Sequence, residues 1–419
     1  MTLPILLFVV TFFLLCILAR QVREQHLVVI ALAILLVFLP LRESFNTWSI
    51  FIMSVLIVGA FIFDKSRRFT WQPVFYAVVC MYLLSFVGLI QVGEFNLANK
   101  RIDSALPMII FPVLFSMVQL SKRNVILLLR FFLWAVIALC LYGILVYATA
   151  VSDFSLKAAL LDGKQYFRLF TVWPIARHPS TLTVTLLMAL PVSLYLRYHN
   201  GKQITRIEML LAILLPIIVS LLVGARIAVA VTPLLLGLGY LFYCKFKPVF
   251  KWGVVATGVV AMSVVILLLP SDFRDRYTDQ IRLDLKTVAI SGIKEKPIFG
   301  WGTWQQLSLI NCEERIQSLG VKFQDNFQHF HNQYLDSMVQ FGIAGIVGLM
   351  WMILWIFWIA IRKKHFLLLS FMTMYIVVFQ FDNVLSTDLF VVAFMFWLCF
   401  LVTNSKYLLE KNNLALEQK

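Results

Sequence analysis

The feature that most constrains this chain is a series of thirteen apolar runs of helical length, separated mostly by short polar gaps. A helix of roughly 20 apolar residues spans the hydrocarbon core of a bilayer, where lipid-exposed irregular backbone is not tolerated. Hydrophobic residues make up 61% of the 419 residues and charged residues only 14%, unlike the balance of a soluble domain. We therefore predict an all-α polytopic membrane protein with about 12–13 transmembrane helices. The runs lie near 3–19, 27–41, 47–63, 71–90, 105–120, 125–150, 180–197, 207–223, 227–243, 251–269, 341–361, 366–380 and 387–403.

The basic residues indicate how the chain is oriented. The formal net charge is +15, and much of it falls in five gaps that share one side if the thirteen runs alternate. The positive-inside rule assigns that side to the cytoplasm, so nucleic-acid binding is the weaker explanation of the charge. The five gaps contain Lys65, Arg67 and Arg68; Lys122 and Arg123; Arg197, Lys202 and Arg206; Lys245, Lys247 and Lys251; and Arg362, Lys363 and Lys364.

The outward segment 270–340 is far longer than a connector needs to be. Its many aromatic residues argue against disorder, and the apolar spacing in 282–296 predicts a helix that lies on the membrane surface or covers the bundle. Pro297 ends that helix, and Gly300 and Gly302 turn the chain. The predicted organisation is an N-terminal transmembrane bundle of about ten spans (1–269), a partly helical outward loop (270–340), C-terminal transmembrane helices (341–403) and a short cytoplasmic tail (404–419).

Two histidines stand where the long loop runs into the next apolar helix. His329 and His331 are two residues apart, and Asn332 follows at once. Imidazole transfers protons near neutral pH, so a general base is one interpretation. The other is that Asn332 caps the helix while both histidines are merely solvated.

Several arginines belong to the same predicted face. Arg226 sits in a tight turn between two apolar runs, where it either snorkels to the interface or clamps an anion with its planar fork of donors. Arg274, Arg276 and Arg282 alternate with aspartates, which is typical of a self-paired surface as well as of an anion site. Arg282 differs because it opens the amphipathic helix and can point inward.

The sequence contains no recognised nucleotide, hydrolase or metal motif. Walker A, G-x-G-x-x-G, G-x-S-x-G and H-E-x-x-H patterns are all missing, and the six cysteines form no C-x-x-C pair. We therefore predict no metal and no cofactor. Asp382 and Asp388, in the last outward gap, are interpreted either as a minor electrostatic element or as loop residues.

The order and separation of these motifs resemble the superfamily of O-antigen ligases and polymerases, which are bacterial inner-membrane glycosyltransferases, and most of all the lipopolysaccharide O-antigen ligases. The resemblance covers about 207–361 by motif. Twelve spans are usual in that family, so the thirteenth run counted here places the first helix in question. The matching motifs are Arg226 in Gly-Ala-Arg-Ile-Ala, Arg282 at the opening of the long loop, Pro297-Ile-Phe-Gly-Trp-Gly302, His331-Asn332, and Gly342-Ile-Ala-Gly345.

The resemblance implies transfer of a glycan from undecaprenyl diphosphate to a sugar hydroxyl of lipid A–core, on the periplasmic side of the inner membrane and among its lipids. It implies His331 as general base and Arg226 and Arg282 as catalytic cations in an inverting, metal-independent displacement. The implied substrate-binding residues are His329, Asn332, Arg274 and Arg276. Three other activities remain open at this level: O-antigen polymerase, protein O-oligosaccharyltransferase and polysaccharide transporter. The transporter is disfavoured because the chain shows no internal repeat.

Overall fold

The structure is a computed structural model, and it describes residues 26–41, 43–64, 66–90, 92, 102–150, 178–199, 202–223, 225–244, 280–321 and 329–409. Two of the predicted runs (3–19 and 251–269) lie outside these ranges. So do Arg274, Arg276, the basic gap at 245–251 and most of the predicted tail. Within the described ranges every regular element is a helix, which confirms the all-α prediction.

The first nine helices form the described part of the predicted N-terminal bundle. They are α1 (His26–Phe38), α2 (Glu43–Phe63), α3 (Val74–Ile90), α4 (Pro107–Met117), α5 (Lys122–Ala150), α6 (Pro179–Leu187), α7 (Ala189–Tyr198), α8 (Arg206–Leu222) and α9 (Arg226–Tyr243).

The remaining helices form the outward loop and the C-terminal part. They are α10 (Gln280–Glu295), α11 (Gln306–Ile310), α12 (Glu313–Ser318), α13 (Gln333–Arg362), α14 (Phe366–Phe381), a 3₁₀ turn (Val384–Ser386), α15 (Asp388–Thr403) and α16 (Ser405–Leu408).

Eleven of the thirteen apolar runs coincide with helices. Four spans in the described ranges are long and apolar enough to cross a membrane: Ser44–Phe63, Lys122–Leu145, Pro179–Tyr198 and Gln333–Arg362. Shorter apolar helices fill the space between them, as expected of a polytopic bundle. Helix α13 begins at Gln333, directly after the cap candidate Asn332 and ahead of the apolar run near 341.

The centre of the bundle is formed by α6, α7 and α15. The span Pro179–Tyr198 is 89% buried inside the protein, and an aromatic cluster packs against α15. Trp397 meets Phe132 edge-on with ring centroids 4.7 Å apart, and Phe396 meets Phe115 at 5.8 Å. Edge-to-face aromatic packing of this kind favours one arrangement of the helices. The central helices therefore support the segments that lie at both ends of the bundle.

One end of the bundle collects the basic gaps. The Gln119 side chain donates a hydrogen bond to the Arg68 carbonyl, and Arg197 donates to the Ile204 carbonyl. At the same end the His199 ring is 2.9 Å from the carbonyl oxygen of Leu409. The first of these contacts joins the gap after α2 to the residues just before α5, and the last joins the gap after α7 to the end of α16.

The opposite end of the bundle carries the outward loop that precedes α13, described over 280–321 and from 329. Helix α10 forms where it is predicted, and its buried side chains Leu285, Val288 and Ala289 pack with Leu309, Ile310, Phe330 and Val339. Leu283, which belongs to the predicted apolar stripe, is instead 52% exposed. The loop therefore has a small core of its own, which rests on the first turns of α13.

Candidate active site

The start of α13 is fixed by Asn332. Its side-chain oxygen accepts a hydrogen bond from the Leu335 amide at 3.0 Å, which is an N-cap. Its own amide donates to the Asn383 side chain at 2.8 Å, and its side-chain nitrogen lies 3.3 Å from two Gln380 oxygens. The capping interpretation is thus confirmed for Asn332. A role in binding substrate stays a prediction, since each described contact of this side chain is structural.

His331 precedes the cap in a strained conformation. Its φ is 50°, a left-handed value that costs a non-glycine residue about 1–3 kcal/mol unless the surroundings impose it. The surroundings here are the N-cap on one side and the turn after α14 on the other. As a result the imidazole faces Asp382, with Nδ1 3.6 Å from Oδ1, and it stays about a quarter exposed.

Asp382 lies at the centre of the site, a role that the sequence-based reading left undecided. Its side chain is 8% exposed, and Oδ1 accepts a hydrogen bond from the Asn383 amide at 3.0 Å. Burial opposes ionisation of this carboxyl group. The nearby imidazoles of His331 and His178 and the hydrogen bond from the Asn383 amide outweigh it, so the pKa of Asp382 is lowered. The group is therefore an anion at neutral pH.

A second imidazole, missed by sequence analysis, approaches the same carboxylate. His178 precedes Pro179 at the start of α6, and its Nδ1 lies 3.9 Å from the Asp382 Oδ2. The pKa of His178 is lowered because packing desolvates the charged imidazolium, an effect that Asp382 opposes and that His331 and Arg282 reinforce. No motif in the sequence marks His178, because it is far in sequence from the loop and is brought there by α6.

Two of the four predicted arginines, Arg282 and Arg226, lie in described helices that begin at this end of the bundle. Arg282, in the first turn of α10, is close enough to His178 for its charge to act on the imidazole. Arg226 begins α9, at the head of a membrane helix as the motif predicts. Because α8 starts in the basic end and α9 follows it with the opposite direction, Arg226 starts at the histidine end. Arg274 and Arg276 fall outside the described residues.

His329 occupies a different position from His331. Its ring meets the Trp304 ring edge-on, with centroids 5.5 Å apart, and Trp304 is only 5% exposed. Trp304 has a φ of 67°, so it too is held in a left-handed conformation. The structure therefore separates the two histidines: one faces a carboxylate, and the other packs on a buried indole.

Two of the glycine motifs meet in space and position the site. Helix α13 breaks at Gly342, with φ 60° and ψ −144°, and the freed carbonyls of Val339 and Gln340 accept hydrogen bonds from the Trp301 and Gly302 amides at 2.8 and 2.9 Å. The amide of Ile343 donates in return to Pro297 at 3.0 Å. A broken membrane helix is tolerated only where protein satisfies its backbone, and the Pro-x-x-Gly-x-Gly turn does so here.

Below the histidines, α13 carries a buried polar stripe. The Asp336 Oδ2 accepts from the Gln340 side chain at 2.6 Å and from the Ser386 hydroxyl at 2.7 Å. Gln340 in turn accepts from the Trp304 amide at 3.1 Å, and Gln333 accepts from the Leu385 amide at 2.7 Å. This network fixes α13 against both the loop and the 3₁₀ turn. Polar residues at helical spacing at the head of an apolar helix are the signal that could have revealed it.

The described part of the site brings two imidazoles to one buried carboxylate. Across the part of the chain that the structure describes, no three His, Cys, Asp or Glu side chains are arranged to hold a metal ion. An anionic carboxylate facing Nδ1 of His331 stabilises the tautomer that carries its proton there, which leaves Nε2 as the basic nitrogen. The arrangement suits removal of a proton from a hydroxyl, with the charge of Arg282 nearby.

The comparison with protein families matches residues 211–350 to the O-antigen ligase family. The matched segment holds the five motifs quoted above, from Arg226 to Gly345, and it confirms the resemblance to this superfamily. It excludes His178 and Asp382, so the site extends beyond the matched segment. No curated protein matches the chain.

Proposed function

We propose, from the premise that residues 211–350 are an O-antigen ligase domain in a polytopic membrane protein, that this chain is an O-antigen ligase. It transfers a polysaccharide from undecaprenyl diphosphate to a sugar hydroxyl of lipid A–core. The reaction takes place at the periplasmic face of the bacterial inner membrane. The observation that carries the proposal is the pairing of His331 with the buried Asp382 at the histidine end.

The acceptor hydroxyl is a weak nucleophile, so its oxygen needs a base as it attacks the anomeric carbon. His331 Nε2 takes that proton while Asp382 stabilises the imidazolium that forms. Such a pair works without a covalent intermediate, because the bond from the acceptor oxygen forms as the bond to the diphosphate breaks. A base on one face of the sugar and a leaving group on the other give inversion at the anomeric carbon.

The leaving group carries the developing charge of the reaction. Its diphosphate gains a negative charge as the glycosidic bond breaks, and Arg226 and Arg282 neutralise it by bidentate hydrogen bonds. These two arginines take the part that a metal ion plays in other phosphate-handling enzymes. The donor is already activated by its diphosphate, so the reaction requires neither a nucleotide nor a cofactor.

Substrate binding involves the groups around the pair. His329, Asn332, Arg274 and Arg276 are proposed to contact the glycan or the diphosphate. For Asn332 this contact would come in addition to its capping of α13. The orientation rests on the basic gaps at the other end of the bundle, which the positive-inside rule places in the cytoplasm.

The test compares lipopolysaccharide from cells with and without the gene. Loss of a ligase leaves long polymer on undecaprenyl diphosphate and gives core without O-antigen. If the cells instead make core capped with a single repeat, the chain is an O-antigen polymerase. If lipopolysaccharide is unchanged, both assignments are wrong, and transfer to protein and polysaccharide transport become the functions to test.

A further inference from the structure

The cluster around Asp382 contains one more imidazole than the proposed reaction uses. His331 faces Oδ1 of the carboxylate at 3.6 Å, and His178 faces Oδ2 at 3.9 Å. The two rings come from separate parts of the chain, the head of α6 and the head of α13, and meet at the turn that follows α14. The carboxylate therefore bridges two histidines through two different oxygens.

Each oxygen of Asp382 has a distinct set of neighbours. Oδ1 accepts from the Asn383 amide at 3.0 Å and also faces His331. Oδ2 is buried and accepts no hydrogen bond from a described residue, and the Nδ1 atom of His178 lies 3.9 Å away, just beyond hydrogen-bond distance. Since the carboxylate side chain is only 8% exposed, its rotation about the Cβ–Cγ bond is controlled by these protein groups more than by water.

We propose that His178 is a positioning residue, which donates a hydrogen bond as a neutral imidazole to the second oxygen of Asp382 and so keeps the first oxygen on His331. This proposal rests on the proposed function, because it assigns His178 a part in the same proton transfer. It adds a residue outside both the matched family segment and the motifs in the sequence.

The surroundings of His178 favour its neutral form. Asp382 is the anion that faces His178, while His331 and Arg282 are the cationic or titratable groups that oppose its protonation. Desolvation by the groups packed on one side of the half-exposed ring is the largest effect, and it leaves the pKa of His178 below its usual range. A neutral ring donates one N–H without cancelling the charge of the carboxylate. Asp382 therefore keeps its full negative charge for the imidazolium that forms on His331.

Three substitutions of His178 separate this role from simple packing. His178→Ala removes the donor, His178→Gln keeps an N–H donor that never ionises, and His178→Lys places a permanent cation beside Asp382. The His178 side chain is half exposed, so all three proteins are expected to fold. Gln317→Lys, on the exposed surface of α12, is the matched control for an added charge.

Turnover and the KM for each substrate are measured on the purified full-length proteins across pH. We expect His178→Ala to lower kcat by about 10- to 100-fold, the scale of one hydrogen bond to a charged group, with donor KM little changed. His178→Gln should recover most of that loss. The lysine disfavours the His331 imidazolium, so His178→Lys should move the acid limb of kcat/KM about one pH unit lower. Gln317→Lys should leave the limb in place.

Two results overturn the proposal. If glutamine is as damaging as alanine, the ring is needed for its shape and not as a donor. If alanine raises donor KM with kcat unchanged, His178 is a substrate ligand. NMR with isotope-labelled histidine requires no activity: the ring-nitrogen signals of His331 should move in His178→Lys and stay in place in Gln317→Lys, even if the transfer reaction is assigned wrongly. Unchanged His331 signals in His178→Lys reject the coupling through Asp382, whatever reaction the protein catalyses.

Discussion

The Nδ1 atom of His331 faces the Oδ1 atom of Asp382 at 3.6 Å, across the junction between the head of α13 and the turn after α14. The contact is held from both sides. Asn332, next to the histidine, is bonded to Asn383, next to the aspartate, at 2.8 Å. The two neighbours thus fix the separation of the acid–base pair independently of the pair itself, so either member can be replaced without removing what positions the other.

The first prediction concerns Asp382→Asn. The amide keeps the shape of the side chain but removes the charge that stabilises the His331 imidazolium. We expect turnover to fall by about 10²–10⁴, with donor affinity largely retained. Kinetics and donor binding of the purified protein provide the check. Turnover within a few-fold of the parent protein would show that the carboxylate is a structural group only.

The second prediction ranks the two loop histidines. His331→Ala should lower turnover by about 10²–10⁴, the usual contribution of general acid–base catalysis, while leaving donor binding nearly unchanged. His329→Ala should cost less and act mainly through acceptor affinity, because its ring packs on Trp304 and does not face the carboxylate. Both variants are compared in one assay. An inactive His329→Ala beside an active His331→Ala would mean that the base is assigned to the wrong histidine.

The sequence predicts the site residues that lie in local motifs better than those that helix packing brings to the site. His331, Asn332, Arg226 and Arg282 were predicted because they lie in or beside short motifs whose spacing is local. His178 was not predicted, and Asp382 was interpreted only as a minor electrostatic element or a loop residue, because no spacing rule links the head of α6 or the end of α14 to the loop. Their meeting depends on how the helices pack, and single-sequence periodicity predicts that a helix forms without predicting its neighbours.

The fold shows the same difference between what a local pattern predicts and what depends on helix packing. Eleven apolar runs coincide with described helices, since burial in lipid demands long apolar segments whatever the packing. The apolar run near 341 begins later than α13, which starts directly after the Asn332 cap, because Gln333, Asp336 and Gln340 are polar yet at most 1% exposed. A hydropathy pattern assigns such residues to the loop. Only the partners that satisfy them, such as Ser386 and the Trp304 amide, explain why the helix begins where it does.

The third prediction tests the close packing of the Pro297–Gly302 turn against the break in α13 at Gly342. A Cβ at Gly342 would collide with the Ile298 carbonyl, and the left-handed backbone there is itself unfavourable for alanine. Gly342→Ala should therefore destabilise the protein by at least about 1–3 kcal/mol and disturb the histidines. Thermal unfolding in detergent measures this. Gly59→Ala is the matched control, because a Cβ at Gly59 meets nothing within 4 Å. Equal stability of the two variants would contradict the close approach.

The fourth prediction concerns the cations and the absence of a metal requirement. Arg226→Lys should impair transfer strongly although it keeps the charge, because lysine lacks the planar fork. Added EDTA should leave the purified enzyme active. A lysine variant with near-parent activity would make Arg226 a snorkelling anchor. Activity lost on chelation and restored by Mg²⁺ or Mn²⁺ would reject neutralisation by arginine alone.

The last prediction fixes the orientation on which the reaction depends. The basic gaps share one end of the bundle, and the loop with the histidines lies at the other, so the two ends must face opposite sides of the membrane. An enzymatic reporter fused after Asn311 should be active in the periplasm, and one fused after Lys364 should be active in the cytoplasm. Both fusions are made in the same host, with whole-cell activity normalised to the amount of each fusion. A periplasmic signal after Lys364 would overturn the topology. A cytoplasmic signal after Asn311 would place His331 and Asp382 on the cytoplasmic side, where a glycan to be joined to lipid A–core outside the inner membrane could not reach them.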